Sequence, residues 1–129
     1  HANNVTIQNS TVKLDKNSQS SLYAREANKY VGGIAGWIEG TSDISSCKAY
    51  IYRLYQRDSE DATVRGWIVG YGNGTISINK CGLGGTNGLN TDTITLTNEN
   101  YTDYIYGSSS TGVTLGTGEN ACDYWDGTL

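Results

Sequence analysis

The sequence has no proline, no methionine and no phenylalanine, and its only histidine is His1. Nucleophilic triads, zinc proteases and histidine-based acid–base chemistry all need a histidine that the rest of the chain does not supply. No apolar run is long enough to cross a bilayer, and the start shows no signal-peptide pattern, so membrane insertion is not expected. These absences favour a non-catalytic protein without a cofactor.

Charge is also scarce in this chain. Charged residues make up 17% of the sequence, and the formal net charge is −4. A mildly acidic chain offers no basic surface for nucleic acid or anionic lipid, so neither is an expected partner. The three cysteines are an odd number and include no Cys-x-x-Cys pair, which argues against a disulfide framework and against a zinc site.

Glycine, tyrosine and small polar residues dominate what is present. Glycine occurs 17 times and tyrosine 10 times, and such a composition favours short strands joined by many turns. We therefore predict an all-β fold. The length of 129 residues predicts a single domain over 1–129. Because the sequence begins at His1 rather than at methionine, we expect a processed mature protein or a piece of a longer one.

One stretch of sequence occurs twice. "GIAGWIEGTSDISSC" covers residues 33–47, and "WIVGYGNGTISINKC" covers residues 67–81. The residues that both copies share are Ile34 and Ile68, Gly36 and Gly70, Gly40 and Gly74, Thr41 and Thr75, Ile44 and Ile78, and Cys47 and Cys81. Internal repetition of this kind indicates an architecture built from one structural unit per repeat.

Weaker copies flank this pair, and the last of them carries one inserted residue. The four anchors Ser10, Cys47, Cys81 and Cys122 recur at intervals of roughly 35–40 residues, a period typical of repeat architectures. A helical repeat of this length would need helix formers at 3.6-residue spacing, and a propeller would need more blades than so short a chain holds. We therefore predict a short parallel β-solenoid of three to four coils, in which equivalent residues stack about 4.8 Å apart.

The glycines and cysteines of the repeat are predicted to be structural. Gly36 and Gly70, with Gly40 and Gly74, bracket a corner that needs positive φ or a close backbone approach. A buried cysteine behaves as a small hydrophobic residue, so we expect the three cysteine anchors to fill one recurrent corner of the core as free thiols.

Local patterns add further predictions. The alternation in "KAYIYRLY" (48–55) and in "TITLT" (93–97) is typical of strands. The glycine- and asparagine-rich stretch 82–92 is predicted to be a loop. Only the stretch 20–30 has a composition that suits a helix.

The first repeat copy resembles a known motif. "VGGIAGWIEGTSDISSC" (31–47) is similar to the GLUG motif, a glycine-rich repeat written roughly as Val-Gly-Gly-Leu-Val-Gly, a short polar corner and Gly-x-Ile-x-Asn-Cys. "RGWIVGYGNGTISINKC" (65–81) is an altered copy in which Arg65 and Trp67 depart from the first, and "ACDYWDGTL" (121–129) resembles the ending of the last such repeat. The resemblance implies an adhesin-like bacterial surface or secreted protein, and it carries no catalytic residue.

Carboxylates are the remaining candidates for chemistry. Asp58, Glu60 and Asp61 share one loop, and Asp123 and Asp126 lie near the end of the chain. A charged loop is most often only solvated, and these residues lack the regular spacing of a calcium loop. We therefore expect neither catalysis nor a metal site.

The aromatic residues are the best candidates for binding. Trp37 and Tyr71 occupy the same corner of successive repeats and are expected to stack while half exposed, and Tyr50 and Tyr52 alternate along one strand. Exposed tyrosine and tryptophan are favoured at protein interfaces and on sugar-binding platforms. An aromatic ladder that only stiffens the fold is the simpler interpretation.

The sequence thus predicts an adhesin-like or structural repeat domain, extracellular or at the cell surface, whose loops contact a protein or a carbohydrate. Two alternatives remain open. The open ends of a short solenoid would allow head-to-tail stacking, which would make the chain a subunit of an extracellular filament. The chain would otherwise serve as a non-catalytic module of a secreted peptidase or polysaccharide-degrading enzyme.

Overall fold

The computed structural model describes residues 1–14, 22–24, 30–52, 54–56, 65–88 and 93–129. These residues form strands and two short 3-10 helices, so the predicted all-β fold is confirmed. The strands in chain order are β1 (Ala2–Asn3), β2 (Thr6–Gln8), β3 (Thr11–Leu14), β4 (Leu22–Ala24), β5 (Val31–Gly32), β6 (Ala35–Ser45), β7 (Lys48–Ile51), β8 (Leu54–Gln56), β9 (Arg65–Gly66), β10 (Val69–Asn79), β11 (Gly82–Gly88), β12 (Thr93–Thr95), β13 (Tyr106–Leu115) and β14 (Asp123–Tyr124). The 3-10 helices are Tyr101–Tyr104 and Gly118–Asn120. No helix in the described part of the chain is long and apolar enough to cross a membrane.

Most strands pair in parallel with strands that lie one repeat away. In sheet one, β1 and β2 pair with β6, β6 pairs with β10, and β10 pairs with β13. In sheet two, β3 pairs with β7, β7 with β11, and β11 with β14. Two smaller sheets follow the same order, because β4 pairs with β8 and β5 with β9. We call the paired segments tiers: the first contains β1 to β4, the second β5 to β8, the third β9 to β11, and the fourth β13 and β14.

The register of the pairing follows the sequence repeat. Ile44 on β6 lies opposite Ile78 on β10, and these two isoleucines occupy equivalent positions in the two repeat copies. The same row continues to Ile7 in the first tier and to Leu115 in the fourth. Because side chains alternate between the two faces of a strand, pairing at a constant offset places apolar residues beside apolar residues on one face.

The core is built mainly from the buried face of the second and third tiers. Its fully buried aliphatic members are Ile38, Ile44, Ala49, Ile51, Ile68, Val69, Ile76, Ile78 and Leu83. Trp67 is the largest buried side chain, at 1% exposure, and its Nε1 donates to the Gly84 carbonyl oxygen at 2.7 Å. Burying one large aliphatic side chain stabilises a fold by about 1.5–3 kcal/mol, so these rows are a major source of stability.

The corner between sheet one and sheet two repeats in the first three tiers. Asn9, Ser46 and Lys80 occupy it with φ values of 55, 53 and 55°, each immediately before an anchor residue of the repeat. Glycine adopts such angles at no cost, and asparagine adopts them more readily than serine or lysine does. The corner is therefore less favourable in the second and third tiers than in the first.

Replacing Lys80 with asparagine is expected to raise the free energy of unfolding by about 0.5 kcal/mol, because asparagine tolerates this corner better. Lys80 is exposed, so no packing is lost. Urea denaturation measures the change. The control Lys48→Asn alters an exposed strand residue, where asparagine is disfavoured and stability should fall. Equal effects of the two changes on the free energy of unfolding would contradict the assignment of Lys80 to a corner with positive φ.

The fourth tier contains the inserted residue as a β-bulge. The register between β10 and β13 shifts after Gly72, so that Gly72 lies opposite Ser109 and Asn73 lies opposite Thr111. Gly112 follows the bulge with a φ of 61°. A bulge absorbs one extra residue without ending the pairing, and a second irregularity between Asn73 and Ile76 restores the original offset, so that Ile76 lies opposite Val113.

One local prediction is wrong, and another is confirmed only in part. The composition of 82–92 predicts a loop, but β11 occupies Gly82–Gly88 and is the third-tier strand of sheet two; residues 89–92 lie outside the described residues. The glycines of β11 reflect close packing, since a Cβ on Gly84 would overlap the carbonyl oxygen of Trp125. The strand predicted over 93–97 is limited to β12 at Thr93–Thr95, which runs antiparallel to β11 rather than continuing the parallel order.

The predicted strand 48–55 and the helical pattern at 20–30 also differ from the structure. β7 ends at Ile51 and β8 begins at Leu54, so the single predicted strand is divided. Within 20–30, Leu22–Ala24 is strand β4, because it pairs with β8. Residues 20–21 and 25–29 of that prediction lie outside the described residues.

Candidate functional site

Four aromatic rings form one cluster on sheet one. Trp37 on β6 lies opposite Tyr71 on β10, and their ring centroids are 4.8 Å apart at an interplanar angle of 62°. Tyr30 stacks on Tyr71 at 4.7 Å and meets Trp37 edge-on at 5.4 Å. His1 stacks on Trp37 at 5.3 Å. We call these four residues the aromatic cluster.

The position of the cluster follows from strand alternation. Trp37 and Tyr71 are half-buried, whereas the next residues, Ile38 and Gly72, are buried. Successive side chains of a strand point to opposite faces, so the two rings lie on the face opposite the core. The predicted contact between Trp37 and Tyr71 is therefore present, but with the rings edge-on rather than face to face.

Trp37 carries a polar atom that the fold does not use. Its Nε1 is buried and has no hydrogen-bond partner among the described residues. A buried donor without a partner costs about 1–3 kcal/mol. Phenylalanine would fill this position without that cost, so stability alone does not explain the tryptophan.

Polar side chains lie beside the aromatic cluster on the same sheet. Glu39 lies opposite Asn73, and its Oε1 is 3.2 Å from His1 Nε2. Farther along the strands, Asp43 lies opposite Ser77. The strands β6, β10 and β13 contain no lysine or arginine. This surface therefore combines aromatic rings with amide, hydroxyl and carboxylate groups.

The structure separates Tyr50 and Tyr52 from the other two predicted binding residues. Tyr50 lies on β7 in sheet two, and Tyr52 follows the end of β7. The chain passes from sheet one to sheet two at the corner before Cys47, so residues after that corner belong to a different sheet. The prediction of one aromatic face from these four residues is therefore wrong, and the candidate site retains only Trp37 and Tyr71.

A second group of aromatic residues belongs to the packing of sheet two. The rings of Tyr50 and Trp125 meet edge-on at 6.3 Å, and Lys48 Nζ lies 5.4 Å from the centre of the Trp125 ring. Trp125 Nε1 donates to the Thr128 carbonyl oxygen at 3.0 Å. Gly127, with a φ of 86°, lies against the Tyr50 ring, where a Cβ would approach to 2.8 Å. Unlike Trp37, this tryptophan has its polar atom paired.

The four repeat glycines lie inside the continuous strands β6 and β10 rather than around the predicted corner, and they allow the backbone conformation there in two ways. Gly40 and Gly74 have φ values of 75 and 134°, which other residues rarely adopt. Gly70 allows a close approach of neighbouring tiers, because a Cβ there would lie 2.6 Å from the Gly36 carbonyl oxygen. Gly36 itself is less crowded, since among the described residues a Cβ added to it would meet only the Tyr30 carbonyl oxygen, at 3.1 Å. The backbones that carry Trp37 and Tyr71 are thereby held close together.

The three cysteines lie in neighbouring tiers at the same corner. The Gly82 amide donates to the Cys47 carbonyl oxygen, and the Asp123 amide donates to that of Cys81, both at 2.8 Å. All three thiols are free and buried. A hydrogen bond between the Cys81 and Cys122 side chains lowers the pKa of Cys122 to about 7 and, together with burial, raises the pKa of Cys81.

Alkylation is expected to distinguish these thiols. Cys122 has the lowered pKa and is 7% exposed, whereas Cys47 and Cys81 are at most 1% exposed. Because the thiolate is the reactive form, iodoacetamide should modify Cys122 first, with a rate that rises as the pH passes through about 7. Mass spectrometry of the native protein measures the order. Equal labelling of all three cysteines before unfolding would contradict this arrangement.

Two of the candidate carboxylates, Asp123 and Asp126, lie in the described part of the chain and accept hydrogen bonds from nearby backbone amides. Asp123 Oδ1 accepts a hydrogen bond from the Tyr124 amide, and Asp126 Oδ1 accepts one from the Thr128 amide, both at 2.9 Å. The bond from Thr128 lowers the pKa of Asp126 below its ordinary value. Within the described part of the chain, no group of three or more metal-ligating side chains comes together. The predicted loop with Asp58, Glu60 and Asp61 lies outside the described residues.

Sequence reasoning missed two members of the aromatic cluster, Tyr30 and His1. Neither residue lies inside the repeat copy at 33–47, so the repeat contains no signal for them. Comparison with known proteins adds no information about the site, since no family model, curated protein or solved structure matches the chain. The resemblance to the GLUG motif therefore stays a prediction.

Proposed function

We propose that the chain is a short parallel β-solenoid of three to four coils and acts as a non-catalytic, adhesin-like domain of a bacterial surface or secreted protein. The parallel pairing of successive tiers at the repeat offset supports this architecture. The resemblance of residues 31–47 and 65–81 to the GLUG motif supports the location. In such an arrangement each coil adds a strand to each sheet, which gives a stiff support for exposed side chains.

The ligand that we propose is a carbohydrate, bound at the aromatic cluster. The aromatic cluster around the half-buried Trp37 and Tyr71 provides apolar ring surface, against which the C–H face of a sugar ring packs. The neighbouring Glu39 and Asn73 provide carboxylate and amide groups for sugar hydroxyls. The observation that carries this proposal is the presence of both kinds of group on one rigid sheet.

A protein ligand is the alternative, and the composition of the surface favours it less. Protein interfaces are enriched in arginine as well as in aromatic residues. The strands β6, β10 and β13 have no arginine or lysine, and their exposed positions are mostly small hydroxyl and amide residues. Such groups suit a ligand that presents hydroxyls.

A glycan array tests the proposal. The wild-type chain is expected to bind a defined set of glycans, and Trp37→Ala or Tyr71→Ala is expected to weaken that binding about tenfold or more, as loss of a central aromatic contact does. Trp37→Phe keeps a ring at the site and should retain part of the affinity. Circular dichroism of each variant shows whether the fold is preserved.

Trp125→Ala is the matched control. It removes a half-buried tryptophan from sheet two, away from the aromatic cluster, and should leave glycan binding unchanged. Absence of binding by the wild-type chain, or equal losses for Trp37→Ala and Trp125→Ala, would overturn the carbohydrate proposal. Capture of a purified surface protein, abolished by Trp37→Ala, would favour the alternative ligand.

A further inference from the structure

The apolar core is incompletely covered at its two ends, which are formed by the first and the fourth tier. In the second and third tiers, Ile44, Ala49 and Leu83 are fully buried. Their partners in the outer tiers are only partly buried and pack against the core from its ends. Those partly buried residues are Val5, Ile7, Val12 and Leu14 in the first tier, and Tyr106, Val113, Leu115 and Tyr124 in the fourth.

The outermost strands also have one edge without a strand partner among the described residues. In sheet one, β1 and β2 pair only with β6, and β13 pairs only with β10. In sheet two, β3 pairs only with β7, and β14 only with β11. An edge of this kind presents backbone N–H and C=O groups that can accept another strand.

The two ends match each other in register. One row of sheet one runs through Ile7, Ile44, Ile78 and Leu115. A second copy that is shifted by four tiers along the stacking direction would therefore place its Ile7 beside Leu115 of the first copy. The equivalent row of sheet two ends in Val12 and Tyr124, and these would meet by the same translation. Both contacts would be apolar and in the parallel register already used inside the chain.

The two ends also differ in charge. Residues 1–14 include Lys13 and contain no aspartate or glutamate. Residues 101–124 include Asp103, Glu119 and Asp123 and contain no lysine or arginine. Opposite charges on the two ends favour head-to-tail approach over head-to-head or tail-to-tail approach, because like charges repel.

We propose that a second copy of this chain docks head to tail, with its first tier added in parallel to the fourth tier of the copy before it. This proposal rests on the parallel arrangement of tiers in the proposed function, and it does not depend on carbohydrate binding. A docked pair still has an open first tier on one copy and an open fourth tier on the other. Further copies can therefore add at either end, and the association continues into a filament.

Sedimentation of end-blocked variants tests this proposal. The weight-average mass of the wild-type chain is expected to rise above 13.9 kDa with concentration. Leu115→Lys places a charge on the fourth-tier end, and Ile7→Lys places one on the first-tier end. Each variant alone should remain monomeric, because one of its two ends is blocked. An equal mixture of the two should form dimers, since each variant retains one functional end.

A second pair of variants keeps the test valid if the lysines disturb folding. Thr6 and Thr114 are exposed and end the same row of sheet one, so they would face each other across the contact. Thr6→Lys with Thr114→Lys should prevent association, and Thr6→Lys with Thr114→Glu should restore it. A wild-type chain that stays monomeric at every concentration, or a variant mixture that forms no dimer while both variants are folded, would overturn the proposal.

Discussion

Replacing Trp67 with alanine is expected to lower the free energy of unfolding by about 3–5 kcal/mol, the usual cost of removing a large aromatic side chain from a core. Trp67 is 1% exposed and packs edge-on against Tyr104 at 5.8 Å. Its Nε1 also donates to Gly84, so the substitution leaves a buried carbonyl oxygen without that partner. Urea denaturation followed by circular dichroism measures the loss, and a chain of marginal stability would unfold.

Two variants separate packing from hydrogen bonding at this position. Trp67→Phe retains most of the ring volume and loses the bond to Gly84, so it should cost about 1–2 kcal/mol. Trp125→Ala removes a tryptophan that is only half-buried and should cost less than Trp67→Ala. A loss below about 1 kcal/mol for Trp67→Ala would contradict the placement of this ring in the core.

Gly70→Ala is expected to cost about 3 kcal/mol or to unfold the chain, although it adds only one methyl group. The added Cβ would lie 2.6 Å from the Gly36 carbonyl oxygen and 2.8 Å from that of Val31. Both contacts are to backbone atoms of the second tier, which cannot move without breaking the parallel pairing of β6 and β10. Thermal unfolding of the variant checks this expectation.

Gly36→Ala is the matched control, because Gly36 occupies the same repeat position one tier earlier. In the described part of the chain, a Cβ there would meet only the Tyr30 carbonyl oxygen, at 3.1 Å. The entropic gain from replacing a strand glycine partly offsets that contact, so the cost should stay below about 1 kcal/mol. Equal stability of the two alanine variants would show that the tiers do not approach each other at Gly70.

The departure of the second repeat copy from the first has a packing explanation. Gly33 and Trp67 occupy equivalent repeat positions, and the Gly33 amide donates to the Trp67 carbonyl oxygen at 2.9 Å. A Cβ on Gly33 would overlap that oxygen and approach Ile51 and Ala49. Backbone and core atoms therefore leave no room for a side chain at Gly33, whereas the equivalent position one tier later carries the buried ring of Trp67.

The sequence predicted the parts of the fold that depend on the repeat. The offset that carries Ile44 onto Ile78 in the sequence is also the register of β6 and β10, because equal spacing of glycine and isoleucine reflects the same contacts in each tier. The sequence did not predict strand β11, because its glycines indicate a loop by propensity alone. There the parallel pairing with β7 and the close approach of Trp125 override propensity.

The candidate site was predicted less completely than the fold. The match between the two repeat copies was sufficient to find Trp37 and Tyr71, since both lie inside the repeat. Tyr30 and His1 reach the cluster through tertiary packing, which no local pattern encodes. Tyr50 was assigned to the wrong surface because the sequence does not show that the corner at Ser46 transfers the chain to another sheet.

Nuclear Overhauser effects between backbone protons test the parallel pairing of the tiers most directly. The hydrogen bonds from Gly82 to Cys47 and from Asp123 to Cys81 predict contacts from the Gly82 amide proton to the α-protons of residues 47–48, and from the Asp123 amide proton to those of residues 81–82. Both sets should be present in one spectrum of the folded chain. Their absence, or α-proton contacts of an antiparallel pattern at these positions, would contradict the account.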